Sequence, residues 1–210
     1  MSELKIALLQ EPFPHAIIDN FYDEDELKLI WQELDYYTYS DKLVPASTIG
    51  GATRNGEKLP KHNGIALDEI YGNNRQISNI LTCNRKVFDK NILESFASLS
   101  PLIWDLKELN QDHTIIKYYE DTDYYKFHRD EARFTCLTYL YKEPKAFTGG
   151  DLQFHQFDYI IPIVNNRLIF FTGCIDHAST TLNMNDNYKD KKFSGFGKYT
   201  ITQFLGHTYG

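Results

Sequence analysis

The chain has 210 residues, 42% hydrophobic and 24% charged, values ordinary for one globular domain with room for a sizeable core. Twenty-two basic against twenty-nine acidic side chains give a net charge of −7, which weighs against a general nucleic-acid binder, whose affinity rests on neutralising phosphates. No stretch approaches the ~20 apolar residues of a membrane span, and the short apolar run near the start cannot serve as the core of a signal peptide.

Along the chain, "HAIIDN" predicts a short strand. Asp23 with Glu26 three residues on has the form of a capping box, and Leu27, Ile30, Trp31 and Leu34 follow at helical spacing. That is an amphipathic helix packed on a core. Residues 40–64, with four glycines, two prolines and little periodicity, read as a long loop, and long loops in compact domains tend to be lids or binding segments. Helical blocks are expected over roughly 66–71 and 85–99, ended by Pro101. After about His113 the text changes to strands: "TIIKYYE", "FTCLTYLY", "DLQFH", "YIIPIV", "RLIFFTG" and "KYTITQFL". The glycine pair in "KAFTGGDLQF" marks a hairpin-like turn. Helices first and many short strands after them predict a mainly β, α+β single domain over 1–210. Helical support occupies roughly 1–110, a β-sandwich or barrel roughly 111–206, and a flexible lid roughly 40–64. Cys83, Cys136 and Cys174 are an odd number in no metal-ligand or redox spacing, and read as reduced, mostly core residues of an intracellular, cytoplasmic protein. Fifteen tyrosines and fourteen phenylalanines suggest an aromatic interior or cleft.

Of the seven histidines, only His128 has a carboxylate, Asp130, at the downstream position that shares its face on a strand. Such a pair can be an ion pair, an acid–base couple or two-thirds of a metal site. His177 follows the strong strand "RLIFFTG" and the turn-like "CID". Two imidazoles and one carboxylate are the facial set of non-haem Fe(II) oxygenases, which leaves coordination positions open for substrate and O₂. Lys198 opens the final alternating strand with Thr200 and Thr202 on its own face. A lysine buried in a barrel needs an anion, and a dicarboxylate beside a metal would supply one.

These residues carry a resemblance. "HRD" at 128–130, a histidine 47 residues after the aspartate, and "GKYTITQF" near the C-terminus resemble the Fe(II)/2-oxoglutarate dioxygenases. Within them the chain is most similar to the prolyl 4-hydroxylase-like branch with its bacterial and phage members. "PFPHAIIDNFYDEDELKLI", "IIKYYEDTDYYKFHRD" and "CLTYLYKEPKAFTGGDLQF" extend the likeness over most of the chain. The resemblance implies a double-stranded β-helix (jelly-roll, cupin-like) barrel with N-terminal helices packed outside. It implies that His128, Asp130 and His177 hold the iron and form the catalytic centre. Lys198 would meet the distal carboxylate of 2-oxoglutarate, helped by the Tyr139 hydroxyl. Tyr118 would stand beside the cosubstrate's metal-binding end, with Thr200 a further candidate in the same pocket. The reaction implied takes 2-oxoglutarate and O₂, with ascorbate as an auxiliary reductant, releases succinate and CO₂, and hydroxylates a prolyl residue in a peptide or protein.

The tyrosine-rich cleft and the 40–64 loop, with Arg54 as a substrate contact, would receive such a peptide. Neither nucleic acid nor membrane is an expected partner, and the expected state is a monomer or homodimer. His177 and Lys198 are 21 residues apart, about twice the family's usual spacing, so 183–197 looks like an insertion. Lys191 and Lys192 stand nearer the usual distance, but only Lys198 lies in a matching strand. Two rivals have discriminating features, and a third alternative stays open. A nucleobase oxygenase would carry an arginine-rich last strand and a basic surface; a free amino acid or another protein residue could be the substrate of the same chemistry; a non-catalytic metal-binding barrel would lack ligands or the lysine.

Overall fold

Every residue of the strand Phe134–Leu140 is buried, so this strand has cover on both faces. Phe134, Cys136 and Leu140 point into a core shared with the helices, while Leu137 and Tyr139 point into a second, aromatic core. A computed structural model of the chain, which describes residues 3–208, shows what provides the two covers. The strand lies in the middle of an eight-stranded antiparallel sheet. In spatial order the strands are Lys5–Leu9, His15–Asp19, Arg167–Thr172, Phe134–Leu140, Lys198–Gly206, Gln111–Tyr119, Asn63–Ala66 and Val44–Pro45. Facing it is a five-stranded sheet in the order Tyr159–Ile161, Leu152–Phe154, His177–Ser179, Tyr124–His128 and Pro60–Lys61. The interior between the two holds Phe13, Tyr119, Tyr139, Phe154 and Phe171. The helices pack on the outer face of the larger sheet through Ile30, Leu34, Leu81, Phe96 and their neighbours.

The first long helix, Glu24–Tyr39, starts where its sequence places it. The Asp23 carboxylate accepts from the backbone N–H groups of Asp25 and Glu26, and the Glu26 carboxylate accepts in return from the Asp23 N–H, the reciprocal capping box. Ile30 and Leu34 are fully buried, and Trp31 packs edge-on against Tyr199 of the last strand. The second helical block is more broken than expected: Leu67–Tyr71, Asn79–Cys83 and Lys90–Ala97 are α-helical, with 3₁₀ turns between. Pro101 does not end a helix but opens the 3₁₀ segment Pro101–Glu108, behind a Ser100 cap, a position where its missing N–H costs nothing.

Two further expectations are corrected. The 40–64 segment is not a structureless loop. Val44–Pro45 pairs with residues 63–64, Pro60–Lys61 with residues 124–125, and Thr53–Arg54 with Glu57–Lys58, so the segment is tied into both sheets. Its strands are two residues long, too short to show a period. The glycine pair 149–150 does not close a hairpin: Phe147–Gly149 pairs with Leu182–Met184, whereas Leu152–Phe154 pairs with Tyr159–Ile161 and His177–Ser179. Both glycines have positive φ, and a Cβ on Gly149 would lie 2.2 Å from the Thr181 carbonyl oxygen. They turn the chain from one ladder to the next. Of the cysteines, Cys136 is buried and Cys83 half-buried, but Cys174 is exposed. Among the described residues no helix is long and apolar enough to cross a membrane.

Candidate active site

His128 ends the strand Tyr124–His128 and His177 begins the strand His177–Ser179, and the two are direct cross-strand partners. Residues paired in this way hold their side chains close together, and the imidazole centroids are 4.3 Å apart. Asp130 does not share the strand with His128, as simple alternation would have it. The strand stops at His128, and the next residues turn toward the larger sheet, where the Asp130 N–H donates to the Gly173 carbonyl at 2.9 Å. The turn brings the Asp130 carboxylate back to both rings. Oδ1 lies 3.6 Å from His128 Nε2 and Oδ2 lies 3.4 Å from His177 Nε2. Arg129 points outward to Asp176, at 3.4 Å.

Each ring is fixed from behind. The Nδ1 atoms of His128 and His177 lie 2.9 Å from the carbonyl oxygens of Lys126 and Ile175. A carbonyl can only accept, so Nδ1 carries the proton and Nε2 presents a lone pair inward. Thr135 Oγ1 donates to Asp130 Oδ2 at 2.6 Å. Tyr125 stacks on the His128 ring with centroids 3.6 Å apart. Burial, with the neighbouring His177 and the Lys117 ammonium, pushes the His128 pKa down to about 2, and burial likewise lowers that of His177. Both imidazoles are therefore neutral near pH 7, which excludes an ion pair with Asp130.

The residues fit a divalent ion. Two imidazole lone pairs and a carboxylate oxygen lie within 4.8 Å of one another. His128 Nε2 is buried with no hydrogen-bond partner, a costly arrangement unless something positive occupies the space in front of it. Two nitrogens and one carboxylate are the donor set suited to non-haem Fe(II).

Gly173 is the backbone contact that seats Asp130. A Cβ there would lie 2.2 Å from the Ala132 carbonyl oxygen and 3.1 Å from the Asp130 Cβ. Gly173→Ala is expected to cost about 1–3 kcal/mol of stability by overpacking and to weaken metal binding by displacing the carboxylate. Thermal unfolding and Mn(II) titration check this; unchanged metal affinity would show that the turn tolerates the methyl group.

Deeper between the sheets, His128 and His177 line a pocket shared with Lys198, Thr200, Tyr139 and Tyr119. Lys198 is fully buried. Its ammonium donates to the Gly150 carbonyl at 2.9 Å and to Ser179 Oγ at 2.6 Å, and sits 3.9 Å from the Tyr119 ring centroid. Among the described residues it has no carboxylate partner, and Thr200 Oγ1 on the same wall is also buried without a hydrogen bond. Tyr139 stands directly across from Thr200 in the sheet.

The other expected residues lie elsewhere. Tyr118 is in the outer core, where its hydroxyl accepts from the Gly195 and Gly197 N–H groups; its neighbour Tyr119 is the one that faces the pocket. Adjacent strand residues point to opposite faces, so one position decides the assignment. Arg54 is exposed and donates to the Phe127 carbonyl at 3.0 Å, over a surface cleft rather than in the pocket. Lys191 and Lys192 line a different, open cleft with Glu120 and Asp121. Sequence reasoning missed Tyr119, Tyr125 and Lys117. The signal available was that residues 117 and 119 share a face across from Thr200 and Lys198.

No protein-family model matches the chain, and no curated sequence does. Solved structures do. A Pseudomonas putida prolyl-4-hydroxylase superposes with a TM-score of 0.54 at 15% identity over 92% of each chain. A Trichoplax adhaerens prolyl hydroxylase in complex with a hypoxia inducible factor peptide fragment gives 0.58 at 14% identity, over 91% of this chain and 82% of that one. The viral collagen prolyl hydroxylase of Paramecium Bursaria Chlorella virus-1, in its 2-oxoglutarate complex, gives 0.55 at 15% identity, over 92% and 96%. The two facing sheets thus form the double-stranded β-helix fold of the 2-oxoglutarate–Fe(II) oxygenases.

Proposed function

We propose that the chain is a 2-oxoglutarate-dependent hydroxylase acting on prolyl residues of a peptide or protein. The observation that carries this reading is one pocket, between the sheets of that fold, which joins the two imidazoles of a His–Asp–His donor set to a fully buried lysine that has no anionic partner among the described residues. His128, Asp130 and His177 would hold Fe(II). When bound, the iron supplies the activation of O₂ that couples oxidation of 2-oxoglutarate to succinate and CO₂ with insertion of one oxygen atom into a C–H bond. Lys198 neutralises the far carboxylate of 2-oxoglutarate, and Thr200 offers its unused hydroxyl beside it. The Lys126 and Ile175 carbonyls hold the Nδ1 protons, so the Nε2 lone pairs of the neutral imidazoles would be free for the metal. Tyr119, Tyr125, Tyr139, Leu137 and Leu152 narrow the pocket around these polar groups and limit the access of water.

The metal end opens to a cleft of about 340 Å³ whose walls include Gly50, Ala52, Tyr125, Arg129 and Phe204. Tyrosine and phenylalanine rings at such a mouth suit the extended, preformed helix of proline-containing peptides. The similar Trichoplax enzyme is held with a peptide, which supports this substrate class.

The test is mass spectrometry of a proline-rich peptide after incubation with Fe(II), 2-oxoglutarate and O₂. The expected result is a gain of one oxygen on proline, matched by succinate and absent without 2-oxoglutarate. Succinate without peptide oxidation would overturn the prolyl assignment alone. Metal binding with neither product would overturn the enzyme reading.

A further inference from the structure

Lys117 lies on the strand Gln111–Tyr119, in register with Thr200 and two residues before Tyr119, so its side chain enters the same pocket. It is 8% exposed. Its ammonium stands 5.1 Å from the Tyr125 ring centroid and 5.7 Å from that of Phe204, rings that also wall the cleft at the metal end. Among the described residues it makes no ion pair and no hydrogen bond. A lysine drawn this far into the fold with only aromatic faces against its ammonium is costly, so the fold keeps it at the expense of stability. The two lysines divide the pocket between them. Lys198 is anchored at the inner end by Gly150 and Ser179. Lys117 stands on the side of the metal ligands: the Tyr125 ring, 5.1 Å from its ammonium, is the one stacked on His128, and its charge and that of Asp130 act on each other.

We infer that Lys117 couples metal and cosubstrate, opposing the divalent ion while the pocket lacks an anion and holding the metal-side carboxylate of the dicarboxylate once that is bound. The inference rests on the 2-oxoglutarate reading of the pocket. At the metal end the Lys117 ammonium and a divalent ion face the carboxylate of Asp130, while Asp151 and Asp123 act on Lys198 at the inner end, so the metal end is over-positive until an anion enters. Like charges repel at this range and the low-dielectric interior screens them weakly. The same ammonium that weakens metal binding alone strengthens binding of the anion, and by linkage each ligand then improves the other's affinity. A lysine that merely filled space would do neither.

The test uses Mn(II) as a metal that does not turn over. Its affinity is measured by titration with and without 2-oxoglutarate, in the wild type and in Lys117→Met. The variant is expected to bind Mn(II) alone several-fold tighter and to bind 2-oxoglutarate to the Mn(II)-loaded protein about tenfold weaker, the worth of one charge-assisted contact. Lys117→Gln is the second variant should the first fail to fold. Opposite signs for the two ligands are the signature of coupling. Weakening of both together, or 2-oxoglutarate affinity that does not move, would overturn the inference while leaving the enzyme reading standing. A wild-type protein that binds Mn(II) but no 2-oxoglutarate would overturn both.

Discussion

Asp130→Ala is expected to abolish 2-oxoglutarate-dependent turnover while leaving the fold in place. Asp130 is the one anionic donor in the set, and its two oxygens face the two Nε2 atoms at 3.6 and 3.4 Å. Without it the site retains two neutral imidazoles beside the Lys117 and Lys198 ammonium groups, an environment that repels a divalent cation. Losing a group that only supports a ligand costs about 10–100-fold in metal affinity, and losing the charged ligand costs more. The structural cost is small by comparison. Thr135 Oγ1 loses its acceptor, worth about 1 kcal/mol. The Gly173 carbonyl keeps its bond, because its donor is the main-chain N–H at position 130, which the substitution leaves in place. Mn(II) titration alongside a thermal melt separates the two effects. A variant with wild-type metal affinity and a lowered Tm would make Asp130 a structural residue. His128→Ala and His177→Ala belong to the same test with the same expected loss.

How far the sequence carries the site depends on how local each relation is. His128 and Asp130 are two residues apart, so any fold that places one places the other nearby, although a turn rather than strand alternation brings them together. His177 reaches them through a cross-strand pair that no spacing encodes; the resemblance supplies it. Tyr118 is misassigned because "KYY" sits in a strand buried on both faces, where no polar alternation marks the inner side. The antiparallel register Lys198↔Tyr119 settles it, and with it the inward direction of Lys117. The 40–64 segment hides its strands because two-residue pairings leave no period to detect. The glycine pair 149–150 carries a true turn signal, but turn chemistry says nothing about which strand is paired next.

Lys198→Met should separate binding from folding. The wild-type ammonium donates two hydrogen bonds to neutral acceptors and has no carboxylate partner among the described residues, so on the proposed reading 2-oxoglutarate supplies its counter-charge. Charge-assisted bonds are worth about 1.5–3 kcal/mol, which predicts a roughly 10- to 150-fold loss of 2-oxoglutarate affinity in the variant. Burial, reinforced by Lys117, pushes the Lys198 pKa down to about 7. In the ligand-free protein the unfolded chain therefore holds the extra proton between about pH 7 and the ordinary lysine value near 10.5. Wild-type stability then rises with pH through that window. The methionine variant lacks this dependence, so any stability advantage it has is greatest below about pH 7 and narrows as pH climbs. For the same reason wild-type affinity for 2-oxoglutarate falls above about pH 7, where binding must take up a proton, and affinity in the variant is low and flat. Calorimetric titration with 2-oxoglutarate across this range, paired with thermal melts, reads both signs. Wild-type affinity retained in Lys198→Met, with loss instead in Lys191→Met or Lys192→Met, would move the anion to the open cleft and away from His128, Asp130 and His177.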